Sequence, residues 1–248
     1  MIDAHTHAWD ASCRVVAAHD TPGAPRPLAD LLGVMDRHGI EGAVLVQPSF
    51  LGTDNAYLEA CLRAHPNHLR GVAVIDSACK PAEVEALHAA GVRGIRFNLL
   101  GGAELPDLSR AGWPALLRTL RGLGWHIELG AAGPRLPALL PALAATKLDL
   151  VVDHFGMPDA ALGLGCAGFQ ALLALGGRVA VKVCAPYRLG GLDPHKLIAA
   201  LIEAEVRLVW GSDFPHTRHE GQDFAALRRL ADQLPDAEGE AEVLYDFG

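Results

Sequence analysis

The segment from Pro81 to Phe97, PAEVEALHAAGVRGIRF, holds the recurring unit of the chain. Pro81 falls in the first turn of a helix expected over Pro81–Ala90, where its missing amide hydrogen costs nothing. Gly91 supplies the stop, because glycine takes the left-handed conformation that ends helices. Val92–Phe97 then forms an apolar, β-branched run of strand length.

Outward from this unit the same alternation recurs. Strands are expected at Ile2–His5, Gly42–Val46, Leu69–Val74, Trp125–Leu129, Leu148–Val152, Arg178–Val183 and Val206–Trp210. Helices are expected at Leu28–His38, Asn55–His65, Trp113–Gly122, Arg135–Ala145, Gly165–Leu175, Asp193–Glu203 and Phe224–Gln233. Asp54, Asp193 and Asp223 sit at or near N-cap positions, Pro114 and Pro194 in first turns, and Gly39, Gly122 and Gly176 at helix ends.

Strands that stay apolar throughout, alternating with helices, imply a parallel sheet buried on both faces. Eight such units across 248 residues imply one (β/α)8 TIM-like barrel, a single domain over residues 1–248, with its site at the C-terminal ends of the strands. A doubly wound open sheet is the competing reading; it is weakened by the lack of a Gly-x-Gly-x-x-Gly turn or a phosphate-binding lysine loop. The proline-rich stretch Thr21–Pro27 reads as a loop after the first strand, near the mouth.

Composition narrows the function classes. Half of the residues are hydrophobic and a fifth charged, which suits a large core rather than disorder. The net charge of −8 argues against a nucleic-acid partner and against an anionic membrane surface. Five scattered cysteines with no Cys-x-x-Cys pair read as reduced thiols of a cytoplasmic protein. No signal peptide or membrane-length apolar run is evident.

A barrel writes its chemistry at the strand tips. The first strand ends in His5 and His7, two residues apart and so facing one side. The later tips offer Gln47 and Ser49, then Asp76, then Arg96 and Asn98, then Glu128 with His126 on the same face. Beyond these come Asp153 and His154; Lys182, Cys184, Tyr187 and Arg188; and finally Asp213 and His216. His5, His7, His154 and Asp213 form a ligand set suited to Zn²⁺ or Mn²⁺, which would acidify a bound water. The same groups also work without metal, with Asp213 as general base and the imidazoles donating to a carbonyl oxygen. Both modes stay open at this level.

Arg96 and Arg188 suit an anionic substrate, or else salt bridges to acids such as Asp76 or Glu128. Gln47, Tyr187 and His216 are further candidate substrate contacts, and Trp9 and Tyr187 could equally pack in the core. Cys184, with no histidine partner nearby in sequence, reads as a packed thiol. Lys182 is either an internal counter-charge or an anion contact. His19, His38, His65, His68, His88, His195 and His219 fall in expected loops or helices and read as surface residues.

The chain resembles the amidohydrolase superfamily, in its amidohydrolase-2 branch of dicarboxylate and sugar-acid lactonases. The motifs that carry this are Asp-Ala-His-Thr-His at 3–7, Val-Gln-Pro-Ser with Asp54 and Asn55 at 46–55, and Gly-Val-Arg-Gly-Ile-Arg-Phe-Asn at 91–98. Val-Asp-His-Phe-Gly at 152–156 and Trp-Gly-Ser-Asp-Phe-Pro-His at 210–216 complete them. The resemblance implies a distorted barrel that hydrolyses a small carboxylate-bearing or hydroxylated lactone. It implies His5, His7, His154 and Asp213 as the catalytic or metal-binding set, and Arg96 and Arg188 as holders of substrate carboxylates or hydroxyls. A lactone isomerase or a metal-dependent decarboxylase would use the same scaffold. The sequence departs from the branch at Met157, where a substrate-gripping arginine is usual, and in a contracted C-terminal ending.

Overall fold

A computed structural model describes residues 1–16 and 23–247, so His19 and the first two residues of the expected Thr21–Pro27 loop lie outside it. Eight parallel strands pair in sequence order: β1 (Ile2–Thr6), β2 (Gly42–Val46), β3 (Leu69–Ala73), β4 (Val92–Asn98), β5 (His126–Gly130), β6 (Asp149–Val152), β7 (Ala180–Val183) and β8 (Arg207–Trp210). Helices α1 (Leu28–His38), α2 (Ala56–Ala64), α3 (Pro81–Ala90), α4 (Trp113–Gly122), α5 (Leu136–Ala144), α6 (Ala167–Leu175), α7 (Pro194–Glu203) and α8 (Phe224–Arg228) follow the strands in turn. This is the (β/α)8 barrel. Asp193 and Asp223 accept the amides of His195 and Ala225 as N-caps, and Gly39 and Gly91 end their helices with positive φ.

Two layers of core follow from the strand alternation. Outward residues such as Leu45, Ile95, Ile127, Val152, Val181 and Leu208 join the helices' buried faces in one large cluster. Inward residues Val44, Val46, Val72, Val151, Ala180 and Val209 form a second cluster inside the barrel.

The barrel closes between β1 and β8 by a few specific bonds rather than a ladder. Asp213 N–H donates to His5 O at 2.9 Å and His7 N–H to Phe214 O at 2.8 Å. The buried Asp3 carboxylate spans the seam, its Oδ1 accepting the amides of Ser212 at 2.8 Å and His5 at 3.2 Å. A register shift lies in the same place: Asp3 pairs with Ala43 but Thr6 with Leu45, so β1 carries one residue more than β2. The bulge changes the strand's phase. Ile2 and Ala4 pack into the interior cluster, yet His5, of opposite parity, meets the interior ionic groups higher up.

Two elements differ from the sequence expectation. The helix expected over Phe224–Gln233 stops at Arg228, with a separate 3-10 turn at Ala231–Gln233. The indole of Trp210 donates to Leu227 O at 2.9 Å, taking the carbonyl that a continuing helix would offer to residue 231. The contracted C-terminal ending forms a ninth helix, α9 (Ala237–Tyr245), which the sequence reading did not anticipate. Its buried face of Ala241, Leu244 and Tyr245 seals the interior cluster, and Tyr245 O–H donates to Glu128 Oε1 at 2.8 Å. Among the described residues, no helix is long and apolar enough to cross a membrane.

Tyr245 therefore anchors α9 through a bond made wholly inside the barrel. Tyr245→Phe should lower unfolding free energy by about 1–3 kcal/mol, because it withdraws a donor from a buried carboxylate. Urea denaturation of both proteins measures this, and an unchanged midpoint would disprove it.

Candidate active site

The strand tips bring His5, His7, His154 and Asp213 to one recess. It is lined by His7, Arg96, His154, Arg188 and Asp213 together with Pro48, Ser49, Phe50, Asn98, Leu100 and Thr217. His154 and Asp213 both lie just past their strands with φ near +51° and +62°, in the left-handed region. An aspartate enters it with little strain, a histidine with more, and such strain persists only where the surroundings enforce it. Gly211 serves the same convergence: a Cβ there would stand 2.6 Å from His5 Cβ.

Asp213 is oriented at one oxygen and free to act at the other. Its Oδ2 accepts from Tyr187 O–H at 2.7 Å and Arg188 Nε at 3.1 Å. Its Oδ1 lies 3.6 Å from both His5 Nε2 and His7 Nε2. Burial alone would raise its pKa, but the neighbouring His7, His154 and Arg188 hold it well below the usual carboxylate range. It is a carboxylate at any physiological pH.

The imidazoles are held individually. His7 Nδ1 lies 2.7 Å from Val46 O. Because a carbonyl only accepts, Nδ1 carries a proton, and in that Nδ1–H tautomer Nε2 presents its lone pair. His5 Nδ1 is 3.0 Å from Lys182 Nζ and 3.4 Å from Asp153 Oδ1. Burial, followed by the charge of Lys182, pushes the His5 pKa far down, and burial likewise lowers His154 to about 4, so both rings are neutral. His5 Nε2 has no partner among the described residues.

Around them lies an ion network. Lys182 pairs with Glu128 Oε1 at 2.5 Å, and burial of Glu128 is outweighed by Lys182 and His126, which together lower its pKa to about 2. Arg96 places both Nε and Nη2 2.9 Å from Asp153 Oδ2. Asp3 differs, for burial dominates its surroundings and raises it to about 6.

The donor set is the right size for a divalent ion: His5, His7 and Asp213 bring ligand atoms within 4.8 Å of one another, as do His5, Asp153 and His154. The hydrogen bonding does not suit one. Lys182, ion-paired with Glu128, has only protons to offer His5 Nδ1, which therefore accepts and leaves the ring's own proton on Nε2. A protonated Nε2 cannot ligate, and a divalent ion would stand beside the cations of Lys182, Arg96 and Arg188.

Other expected residues fall elsewhere. Gln47 is fully buried and donates to Asp54 O at 2.7 Å, pinning its own loop outside the recess lining. His216 packs edge-on against Tyr187 and Phe214. Asp76 caps a turn at Ala78, and Trp9 packs edge-to-face against Phe50 in the core. Both arginines are salt-bridged, but to Asp153 and Asp213 rather than to Asp76 or Glu128. Cys184 does have a histidine neighbour, His154 Nδ1 at 3.0 Å. Lys182 is the internal counter-charge. Met157 is absent from the recess lining. The roles of Asp3, Asp153 and Tyr245 were missed, although an acid inside an apolar strand run was a usable signal for the first two.

Known proteins resemble this chain along nearly its whole length. The profile of a family described as amidohydrolase matches residues 2–246. A 2-pyrone-4,6-dicarboxylate hydrolase of Comamonas testosteroni is 29% identical over 269 residues, covering 99% of this chain and 87% of the relative. A 4-sulfomuconolactone hydrolase of Rhizobium radiobacter is also 29% identical, covering 98% and 87%. A crystal structure from Pseudomonas putida, provisionally assigned as a 2-pyrone-4,6-dicarboxylic acid hydrolase, superposes with a TM-score of 0.87 at 39% identity, covering 99% and 97%.

The depressed His154 pKa carries a signed consequence. Between about pH 4 and 6.5 the unfolded chain holds a proton on this ring and the native one does not, so stability falls on acidification through that window. His154→Gln should flatten the decline by on the order of 3 kcal/mol, measured as unfolding free energy from pH 7 to pH 4. Parallel curves for the two proteins would contradict it.

Proposed function

The chain belongs to the amidohydrolase family, and from that premise we propose that it is a lactonase, opening a small anionic or hydroxylated lactone by direct attack of water. The observation that carries this reading is the pair of acceptors at the mouth. Asp213 Oδ1 is a carboxylate oxygen, and His7 Nε2, 3.6 Å away, offers its lone pair in the Nδ1–H tautomer that Val46 O selects. A water between them donates one hydrogen to each, which aims an oxygen lone pair outward at a bound carbonyl.

Asp213 takes the proton as the carbon–oxygen bond forms, and Tyr187 and Arg188 hold its other oxygen still meanwhile. The carbonyl oxygen becomes an oxyanion. His154, at the recess wall, stabilises it as a hydrogen-bond donor, and His5, buried behind the lining with its ring 5.0 Å from that of His154, supports it from beneath. Collapse expels the ring oxygen, which recovers the proton from Asp213, and the product is a hydroxy acid. No step requires a metal, and the hydrogen bonding of His5 favours the metal-free mode over a Zn²⁺ or Mn²⁺ centre.

Substrate recognition falls to the upper recess. Arg96 and Arg188 present cationic surface, and Ser49, Asn98 and Thr217 add neutral polar groups. The two curated relatives are named for lactones bearing carboxylate or sulfonate groups, which suits an anionic or hydroxyl-rich ligand here too.

Acid release from a panel of dicarboxylic, sulfonated and sugar-acid lactones, followed with a pH indicator, tests the proposal. Wild type should acidify at least one, and Asp213→Asn should lower kcat by about 10³-fold or more with the fold intact. Equal turnover by the two proteins would remove Asp213 from the mechanism; no turnover by wild type on any lactone would remove the lactonase reading.

A further inference from the structure

Strand β7 and the residue that follows it supply two buried side chains, two residues apart, and each meets one histidine of the trio. Lys182 Nζ is 3.0 Å from His5 Nδ1, and Cys184 Sγ is 3.0 Å from His154 Nδ1. Both are fully buried. In each case the contact falls on Nδ1, the nitrogen turned away from the mouth, and not on the one that would meet substrate.

The direction of each bond follows from chemistry. Lys182, salt-bridged to Glu128, can only donate. At Cys184 the choice is between S–H to nitrogen and N–H to sulfur. An imidazole lone pair is a strong acceptor and a neutral thiol sulfur a weak one, so the thiol donates. Burial first, and the nearby Asp213 and Asp153 after it, keep the thiol protonated. His7 is held the opposite way, since Val46 O takes its Nδ1 proton.

We infer that Lys182 and Cys184 are positioning residues that fix His5 and His154 as Nε2–H tautomers, so that one stretch of chain divides the three histidines into two donors for the oxyanion and one acceptor for the water. The inference rests on the lactonase reading for its kinetic consequence, but not for the tautomers themselves. Without Cys184 the His154 ring is free to place its proton on Nδ1, and the oxyanion loses one donor. Neither residue touches the substrate. Loss of tautomer control should therefore appear in kcat and leave KM nearly unchanged.

Nitrogen-15 NMR of histidine-labelled protein reads the tautomers directly. The wild type should show His5 and His154 protonated at Nε2 and His7 at Nδ1. Cys184→Ala should lose the single Nε2–H signature of His154 and lower kcat by about 10- to 100-fold, with KM within twofold. Cys184→Ser, which keeps a donor at that position, should restore both the signature and kcat to within about threefold of wild type. Nδ1 protonation of either His5 or His154 in the wild type would overturn the inference, as would a folded Cys184→Ala protein with unchanged kcat and spectrum. If Cys184→Ala does not fold, the wild-type and Cys184→Ser spectra still decide it. Should the wild type open no lactone, the kinetic arm fails with the lactonase reading, and the spectra still decide the tautomers.

Discussion

The constraint on which the structure depends is the burial of ionic groups inside a barrel of only eight strands. Glu128, Asp153 and Asp213 are each almost wholly excluded from water, as are Lys182 and Arg96. An unpaired carboxylate in that place would cost several kcal/mol and would protonate instead. Each is paired: Glu128 with Lys182, Asp153 with Arg96, Asp213 with Arg188. Asp3, whose salient partners are backbone amides, is the exception that shows the rule, because it alone of the four is pushed up to about 6. Pairing is what keeps Glu128 and Asp213 charged.

These pairs also give the barrel interior its vertical order. The aliphatic layer of Val44, Val46, Val72, Val151 and Val209 is sealed below by α9. Above it Tyr245 reaches Glu128, Glu128 reaches Lys182, and Lys182 reaches His5 at the mouth. Side-chain bonds thus run from the last helix to the first strand. The β1 bulge is what allows the connection, since without its added residue His5 would turn outward and Ala4 would hold the parity facing Lys182.

Much of this was legible in the sequence, for a physical reason. Strand and helix periods are local, so the eight units could be read to within a residue or two at most boundaries, and a parallel barrel leaves only one end for polar groups. His5, His7, His154 and Asp213 could therefore be gathered from four distant stretches. The pairings were not legible, because they depend on register. Arg96 on β4 meets Asp153 beyond β6, skipping the intervening strand, and Cys184 meets a histidine 30 residues away. The strand tips suggested Asp76 or Glu128 as partners for both arginines. The bulge left no signature between Asp3 and Thr6, and α9 was hidden by an acidic outer face, although Ala237, Ala241, Leu244 and Tyr245 follow a helical period.

The matched charges bear on how such a site would do its work. Every buried cation at the mouth already has a carboxylate partner, so an anionic substrate must share Arg96 with Asp153 and Arg188 with Asp213 rather than meet a bare positive charge. Ground-state attraction is modest under those terms. On the proposed lactonase mechanism, the negative charge that develops on the carbonyl oxygen meets a different environment, because the His5 Nε2–H has no hydrogen-bond partner among the described residues to give up. A donor left unmade in the resting protein and satisfied only when charge appears stabilises the transition state more than the bound lactone. The cost of leaving that buried group unpaired is met by the surrounding network, and the gain is realised at the reacting carbon. On this argument the ion pairs contribute chiefly by holding polar atoms in fixed directions, with substrate attraction the smaller part.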